Sequence, residues 1–182
     1  IQKEPEKYSG VAKVDASSAD PAATMKDLRK KGIRGLRILP TDGGESTPWR
    51  ESEGMNSLWK NAPELGVAMC PLINPEDLAE VNFMCQKYPE TTVVIDHFAR
   101  IGIDGIIRES DLKNLVELAK FHNTNVKFSA YYALGNKQPP HTELIPMMQA
   151  LYESYVPKRL MWASGCPYQL TGPNNYGDLI AL

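Results

Sequence analysis

Six short apolar runs recur along the chain about every 30 residues, each followed by a stretch whose apolar positions fall three or four apart. The runs, expected as strands, cover residues 10–14, 33–39, 67–73, 91–97, 125–130 and 160–164. The helices between them carry their own start and stop signals. Asp20-Pro21 supplies an N-cap and a proline at the first helical position, and Gly32 closes that helix. A second helix is expected over 55–62, after the long loop "PTDGGESTPWRESEG". Asn74-Pro75-Glu76-Asp77 opens the next, where Leu78, Val81, Met84, Cys85 and Tyr88 form one stripe. Ser110 is expected to cap a helix with Leu112, Leu115, Val116 and Ala119 on one face. A further helix carries Leu144, Ile145, Met148, Leu151, Tyr152 and Tyr155.

Strict strand–helix alternation predicts parallel strands, since each crossover helix returns the chain to the same end of the sheet. An open doubly wound sheet and part of an eight-stranded barrel both fit. A complete barrel takes about 250 residues, more than the 182 present. In either architecture the functional end is the C-terminal end of the strands.

Composition narrows the partners. Apolar residues make up 42% and charged residues 23%, with a formal charge of −2, so there is no general attraction to nucleic acid or anionic membrane. The one basic run, Arg29, Lys30, Lys31, Arg34 and Arg37, straddles a helix end, where cations complement the dipole. Cys70, Cys85 and Cys166 are odd in number and have no CxxC spacing, which argues against a disulfide framework or zinc cluster. No apolar stretch approaches a membrane span. A cytoplasmic location is expected. The chain opens at Ile1 without methionine, and an exported protein lacking its leader is the alternative.

The strand ends bring forward Asp15, Arg37, Asn74, His97 with Arg100, Ser129 with Tyr131, and Ser164-Gly165-Cys166. The long loop adds Asp42, Trp49 and Arg50 to that face. His97 is the sharpest candidate. Strand alternation would place it on one face with Val93 and Ile95, where it could ligate a metal, act as a base or bind a substrate oxygen. A histidine satisfied by neighbouring backbone is the alternative. Arg37 and Arg100 suit carboxylate contacts, or an ion pair and a loop tie. Ser129 and Tyr131 suit substrate orientation; without a nearby His-Asp pattern Ser129 is a poor nucleophile. His141 is expected to be a solvated loop residue and His122 a helix C-terminal cap. Trp59, Trp162 and the methionines follow core spacing.

The segment "VVIDHFARIG" resembles the Asp-His strand of the metal-dependent amidohydrolase superfamily, in its amidohydrolase-2 branch of lactonases and aromatic-acid decarboxylases. "GIRGLRIL" resembles that branch's arginine-bearing strand, "NVKFSAYYALG" its Lys-x-Ser strand and "RLMWASGCPY" its last barrel strand. The four segments occur in the family's order. The resemblance implies an α/β fold, a (β/α)8 TIM barrel of metal-dependent hydrolase type. Six of its eight βα units are visible, in one N-terminally incomplete domain over 1–182.

The resemblance also implies a site at the barrel mouth. His97 would be its catalytic histidine or a metal ligand and Arg37 and Arg100 carboxylate contacts, while the strand-end positions of Ser129 and Tyr131 add them as substrate-binding candidates. Two departures follow. No His-x-His pair occurs anywhere in the chain, and Gly165 stands where the family carries an aspartate that binds metal or activates water. Cys166 would point to the opposite face.

The implied activity is hydrolysis of a lactone, cyclic ester or related small carboxylate, with one divalent metal (zinc or manganese) or none. A catalytically impaired relative that binds a small acid or serves in an assembly is the alternative, and a decarboxylase of the same branch is the second. An unrelated open-sheet binding domain is the reading from a different class. Neither nucleic acid nor membrane is an expected partner, whereas a homo-oligomer or assembly partner is. The missing pair and Gly165 put activity of the chain alone in question.

Overall fold

A computed structural model describes residues 1, 3–43, 48–170 and 172–181. The chain divides into two compact units, one of residues 1–73 and 79–94, the other of 74–78 and 95–182.

In the first unit β1 (Gly10–Ala12), β2 (Ile33–Ile38) and β3 (Ala68–Pro71) are parallel neighbours in chain order. Met69 of β3 lies opposite Val93, the first residue of β4 (Val93–Ile95). The strands are therefore parallel, as the alternation predicts, but shorter than the apolar runs because the run ends turn away into loops. Gly35 is fixed by crowding: a Cβ there would stand 2.8 Å from the Cys70 sulfur.

The crossover α1 (Pro21–Lys30) starts as expected, with the Asp20 carboxylate accepting from Ala23 N at 2.9 Å. Next, α2 (Glu53–Leu65) is longer than the expected 55–62 and ends on Gly66 at φ 58. The third helix, α3 (Leu78–Lys87), follows a short turn in which Asn74 and Asp77 form a capping box. Met25, Leu36, Met55, Trp59, Met69, Val81 and Met84 fill the core. The basic run is structural: Arg29 Nε donates to the Leu65 carbonyl at 2.8 Å, and Arg34 Nη1 to the Ile33 carbonyl at 3.0 Å.

The long loop is anchored rather than open. Trp49 is buried and donates from Nε1 to the Leu39 carbonyl at 3.0 Å. Arg50 pairs with Glu80 and lies 4.5 Å over the Phe83 ring. Residues 44–47 of this loop lie outside the described residues.

In the second unit β5 (Thr124–Phe128) runs parallel to β6 (Leu160–Trp162), with Lys127 opposite Met161. The helices α4 (Glu109–Glu117) and α5 (Ile145–Tyr155) pack together, and Tyr155 Oη donates to the Leu115 carbonyl at 2.7 Å. A short α6 (Tyr176–Ala181) follows. Three expectations are corrected here. Arg108, not Ser110, stands at the N-cap position of α4 and makes no side-chain capping bond; Glu109 and Asp111 put carboxylates in the first turn, where the helix dipole favours them. Trp162 is 56% exposed rather than in the core, since β6 ends the strand order. His141 is fully buried rather than solvated. Its Nε2 meets Asn174 Oδ1 at 3.0 Å and its ring stands edge-on to Tyr131. Cys70 and Cys85 are buried and Cys166 is exposed, with no disulfide among the three. No helix among the described residues is long and apolar enough to cross a membrane.

Candidate active site

The site is built around a turn of unusual hand. Directly after β4 the chain leaves the strand at Asp96, and His97, Phe98, Ala99 and Arg100 take φ values of 53, 54, 52 and 56. Left-handed backbone costs an L-residue roughly 1–2 kcal/mol, and none of these four is glycine. His97 therefore does not continue the alternation of Val93 and Ile95, which corrects the strand expected over 91–97. The turn, not the strand face, aims the imidazole.

The half-buried His97 ring is held by Ser129, just past the end of β5: Nδ1 and Ser129 Oγ share a hydrogen bond at 2.7 Å. Ser129 has no exposed surface. The bond ties the ring's two protonation patterns to the serine. When the hydroxyl donates to Nδ1, the ring proton sits on Nε2 and is presented as a donor. When Nδ1–H donates to Oγ, Nε2 presents a lone pair. Beside this pair, Asp96 is fully buried and Lys127 Nζ approaches its Oδ1 at 2.6 Å.

Aromatic rings close the floor. Phe98 lies 4.8 Å from Phe128 and 5.9 Å from Tyr131 between ring centres. Tyr131 is buried, and loss of hydration pushes its hydroxyl up to about 12. It therefore stays a neutral donor at any ordinary pH.

Arg100 closes the left-handed turn and is half-buried, with Nη1 3.4 Å from Asn74 Oδ1. It lines a cleft of about 370 Å³ together with Asn74, Glu76, Ile103 and Arg108. Arg108 is engaged with Asp104 at 2.6 Å. Gly165 has φ 65, and a Cβ built on it would stand 3.3 Å from Tyr132 Cε1 and 3.7 Å from Ala130 N. The following Cys166 is exposed. His97, Arg100, Ser129, Tyr131 and Gly165 thus all belong to the second unit, whereas Arg37 belongs to the first. Arg37 is half-buried on β2, opposite Cys70.

A divalent metal at this site would draw its ligands from the side chains around His97. His97 offers one nitrogen, and among the described residues no three of His, Cys, Asp and Glu stand close enough to hold an ion. A zinc or manganese centre needs three or four such ligands. Among the described residues the donor set does not by itself fit one.

Sequence reasoning reached His97 and Ser129 separately and missed their pairing, which joins positions 32 apart. It named Asp96 beside His97 and the Lys-x-Ser strand, and missed that Lys127 meets Asp96. A signal was available: Lys127 and Ser129 are two apart, so strand alternation puts them on one side, and a cation turned inward there needs a buried acid.

Comparison with known proteins agrees with this architecture. The Amidohydro_2 (amidohydrolase) family pattern matches residues 2–181. The chain is 24% identical over 155 residues to a 4-sulfomuconolactone hydrolase of Rhizobium radiobacter, covering 79% of this chain and 47% of that protein. It is 26% identical over 167 residues to an L-fucono-1,5-lactonase of Burkholderia ambifaria, covering 91% and 57%. The chain thus spans about half the length of these relatives. A crystal structure of a probable 2-pyrone-4,6-dicarboxylic acid hydrolase from Acinetobacter baumannii, with citric acid bound, superposes with a TM-score of 0.81 at 23% identity. The match covers 100% of this chain and 66% of that one. The fold class is accordingly α/β, with parallel strands of the amidohydrolase TIM-barrel type. The chain belongs to the amidohydrolase family.

Proposed function

We propose that this chain carries part of the catalytic face of a lactone hydrolase whose substrate bears a carboxylate. The observation that carries the reading is the His97–Ser129 hydrogen bond at 2.7 Å, which fixes an imidazole immediately beyond a strand's C-terminal end. With Ser129 donating to Nδ1, Nε2–H donates to the lactone carbonyl oxygen and stabilises the negative charge that develops there. Water adds to the carbonyl carbon, the ring C–O bond breaks, and the departing alkoxide takes up a proton to give the open hydroxy acid. Arg100, on the same turn as His97, receives the substrate carboxylate. Tyr131 packs the floor as a neutral group. A zinc or manganese ion, where one takes part, needs ligands beyond His97.

The named relatives that are lactone hydrolases support this reading, as does the citric acid in the Acinetobacter baumannii structure, a small polycarboxylate. One observation favours a second reading. Gly165 brings no carboxylate to the place where the family activates water, so the chain fits equally a relative that binds a small acid without turning it over.

A panel of carboxylate-bearing lactones, followed by acid release, tests the first reading against His97→Ala and Arg100→Met. Hydrolysis that falls on the order of 10²-fold in His97→Ala supports it. Saturable binding of the acid, sensitive to Arg100→Met and without turnover, supports the second. Release of carbon dioxide instead of a hydroxy acid would point to a decarboxylase.

A further inference from the structure

Four consecutive non-glycine residues in left-handed backbone persist only where the surroundings over-determine them. Here the determinants come from three successive residues at the end of β5. Lys127 Nζ holds Asp96 Oδ1 at 2.6 Å, the Phe128 ring packs 4.8 Å from Phe98, and Ser129 Oγ holds His97 Nδ1 at 2.7 Å. Strand alternation alone would send Phe128 away from its two neighbours, yet the turn meets all three.

Within this clamp the ion pair is the member whose presence packing does not explain. Asp96 is fully buried, and Lys127 retains only 22% of its side-chain exposure. Bringing two charges out of water costs several kcal/mol each, so such a pair is weak evidence for stability and is better accounted for by fixing geometry. Asp96 is also the last residue before the backbone changes hand. Pinning its carboxylate sets where the left-handed turn begins, and so where every later side chain in the turn points.

We propose that Lys127, acting through Asp96, is a positioning residue for His97. The ion pair holds the start of the turn so that the imidazole meets Ser129 and Arg100 is presented three residues on. This rests on the proposed function only in taking His97 as the site histidine. Lys127 touches no reacting atom in this scheme.

The test reads the position of His97 apart from activity. The chain has three histidines, so each gives a resolvable Hε1–Cε1 NMR cross-peak, measured here at one fixed pH. Lys127→Met leaves a buried carboxylate uncompensated and is at risk of not folding. The deciding variant is therefore the charge-free double substitution Asp96→Asn with Lys127→Met. The expected result is a folded protein whose His97 peak moves while the His122 and His141 peaks stay. Lys127→Arg, which keeps a cation, holds the His97 peak near its original place.

Lactone hydrolysis in the double variant is expected to fall on the order of 10²-fold, the size of effect that a misplaced catalytic group produces. A folded double variant with an unmoved His97 peak overturns the proposal. If the unaltered protein hydrolyses no lactone, the functional reading fails on that result, and the His97 peak still decides the positioning role.

Discussion

His97 Nδ1 and Ser129 Oγ stand 2.7 Å apart although 32 residues separate them in the chain. One group is delivered by a left-handed turn after β4, the other by the first residue beyond β5. The serine has no exposed surface, and its hydroxyl faces the imidazole.

Replacing Ser129 with alanine therefore tests orientation. Loss of a single hydrogen bond is expected to cost about 1 kcal/mol of stability in a urea titration. On the proposed lactone-hydrolase reading, kcat is expected to fall on the order of 10-fold to 10²-fold with little change in KM. An unchanged kcat in a folded Ser129→Ala protein would show that other contacts hold the ring.

Gly165→Asp introduces a carboxylate where the resemblance to the family implies one. Its Cβ would lie 3.3 Å from the Tyr132 ring, and φ 65 is a conformation that aspartate adopts with less strain than most residues. A loss of roughly 1 kcal/mol in stability is expected together with a gain in lactone hydrolysis of about 10²-fold, typical of a positioned general base. Gly165→Ala carries the same backbone strain without the carboxylate and should show the first effect alone. Equal rates for the two variants would remove position 165 from catalysis.

Tyr131 gives a pH dependence whose sign follows from burial. Its hydroxyl is pushed up to about 12 in the folded protein, against 10 when hydrated. The folded state keeps the proton that the unfolded chain releases, so this contribution is fully present below pH 10. It is lost as pH rises from about 10 toward about 12. Urea titrations across that range should show stability falling, less steeply in Tyr131→Phe, and the phenolate absorbance of Tyr131 should appear only at the top of it.

Arg159 ties the second unit together through five backbone carbonyls, those of Ser154, Tyr155, Ala119, Phe121 and Thr124, three of them at 3.0 Å or closer. Nε donates to Tyr155 at 2.8 Å, and Nη1 to Ala119 and Phe121 at 3.0 Å each. Arg159→Met leaves those acceptors without their donor and is expected to lower unfolding free energy by roughly 3 kcal/mol. Arg159→Lys should recover only part, because one ammonium cannot reproduce the planar fork. Chemical denaturation of both variants measures the difference.

The periodicity of the chain was enough for its architecture. Alternating apolar runs and amphipathic stretches led to parallel strands, and Asp20-Pro21 and Asn74-Pro75 marked their helix starts because caps act within one turn of backbone. Trp162 shows where that reasoning ends: its spacing is that of a core residue, but burial depends on what lies beside β6. His141 errs the other way, since only the fold brings Asn174 to its ring.

What the sequence determined by itself was local: strands, helices, their parallel sense, and the candidacy of His97, Arg100, Ser129, Tyr131 and Gly165. Only the tertiary structure decided how His97 is aimed. "DHFAR" contains no glycine, and nothing in its composition predicts four left-handed residues. That backbone is unfavourable on its own and exists because Lys127, Phe128 and Ser129 meet it from another strand. Interactions between distant positions outweigh the local preference, and they arise only once the strands have come together.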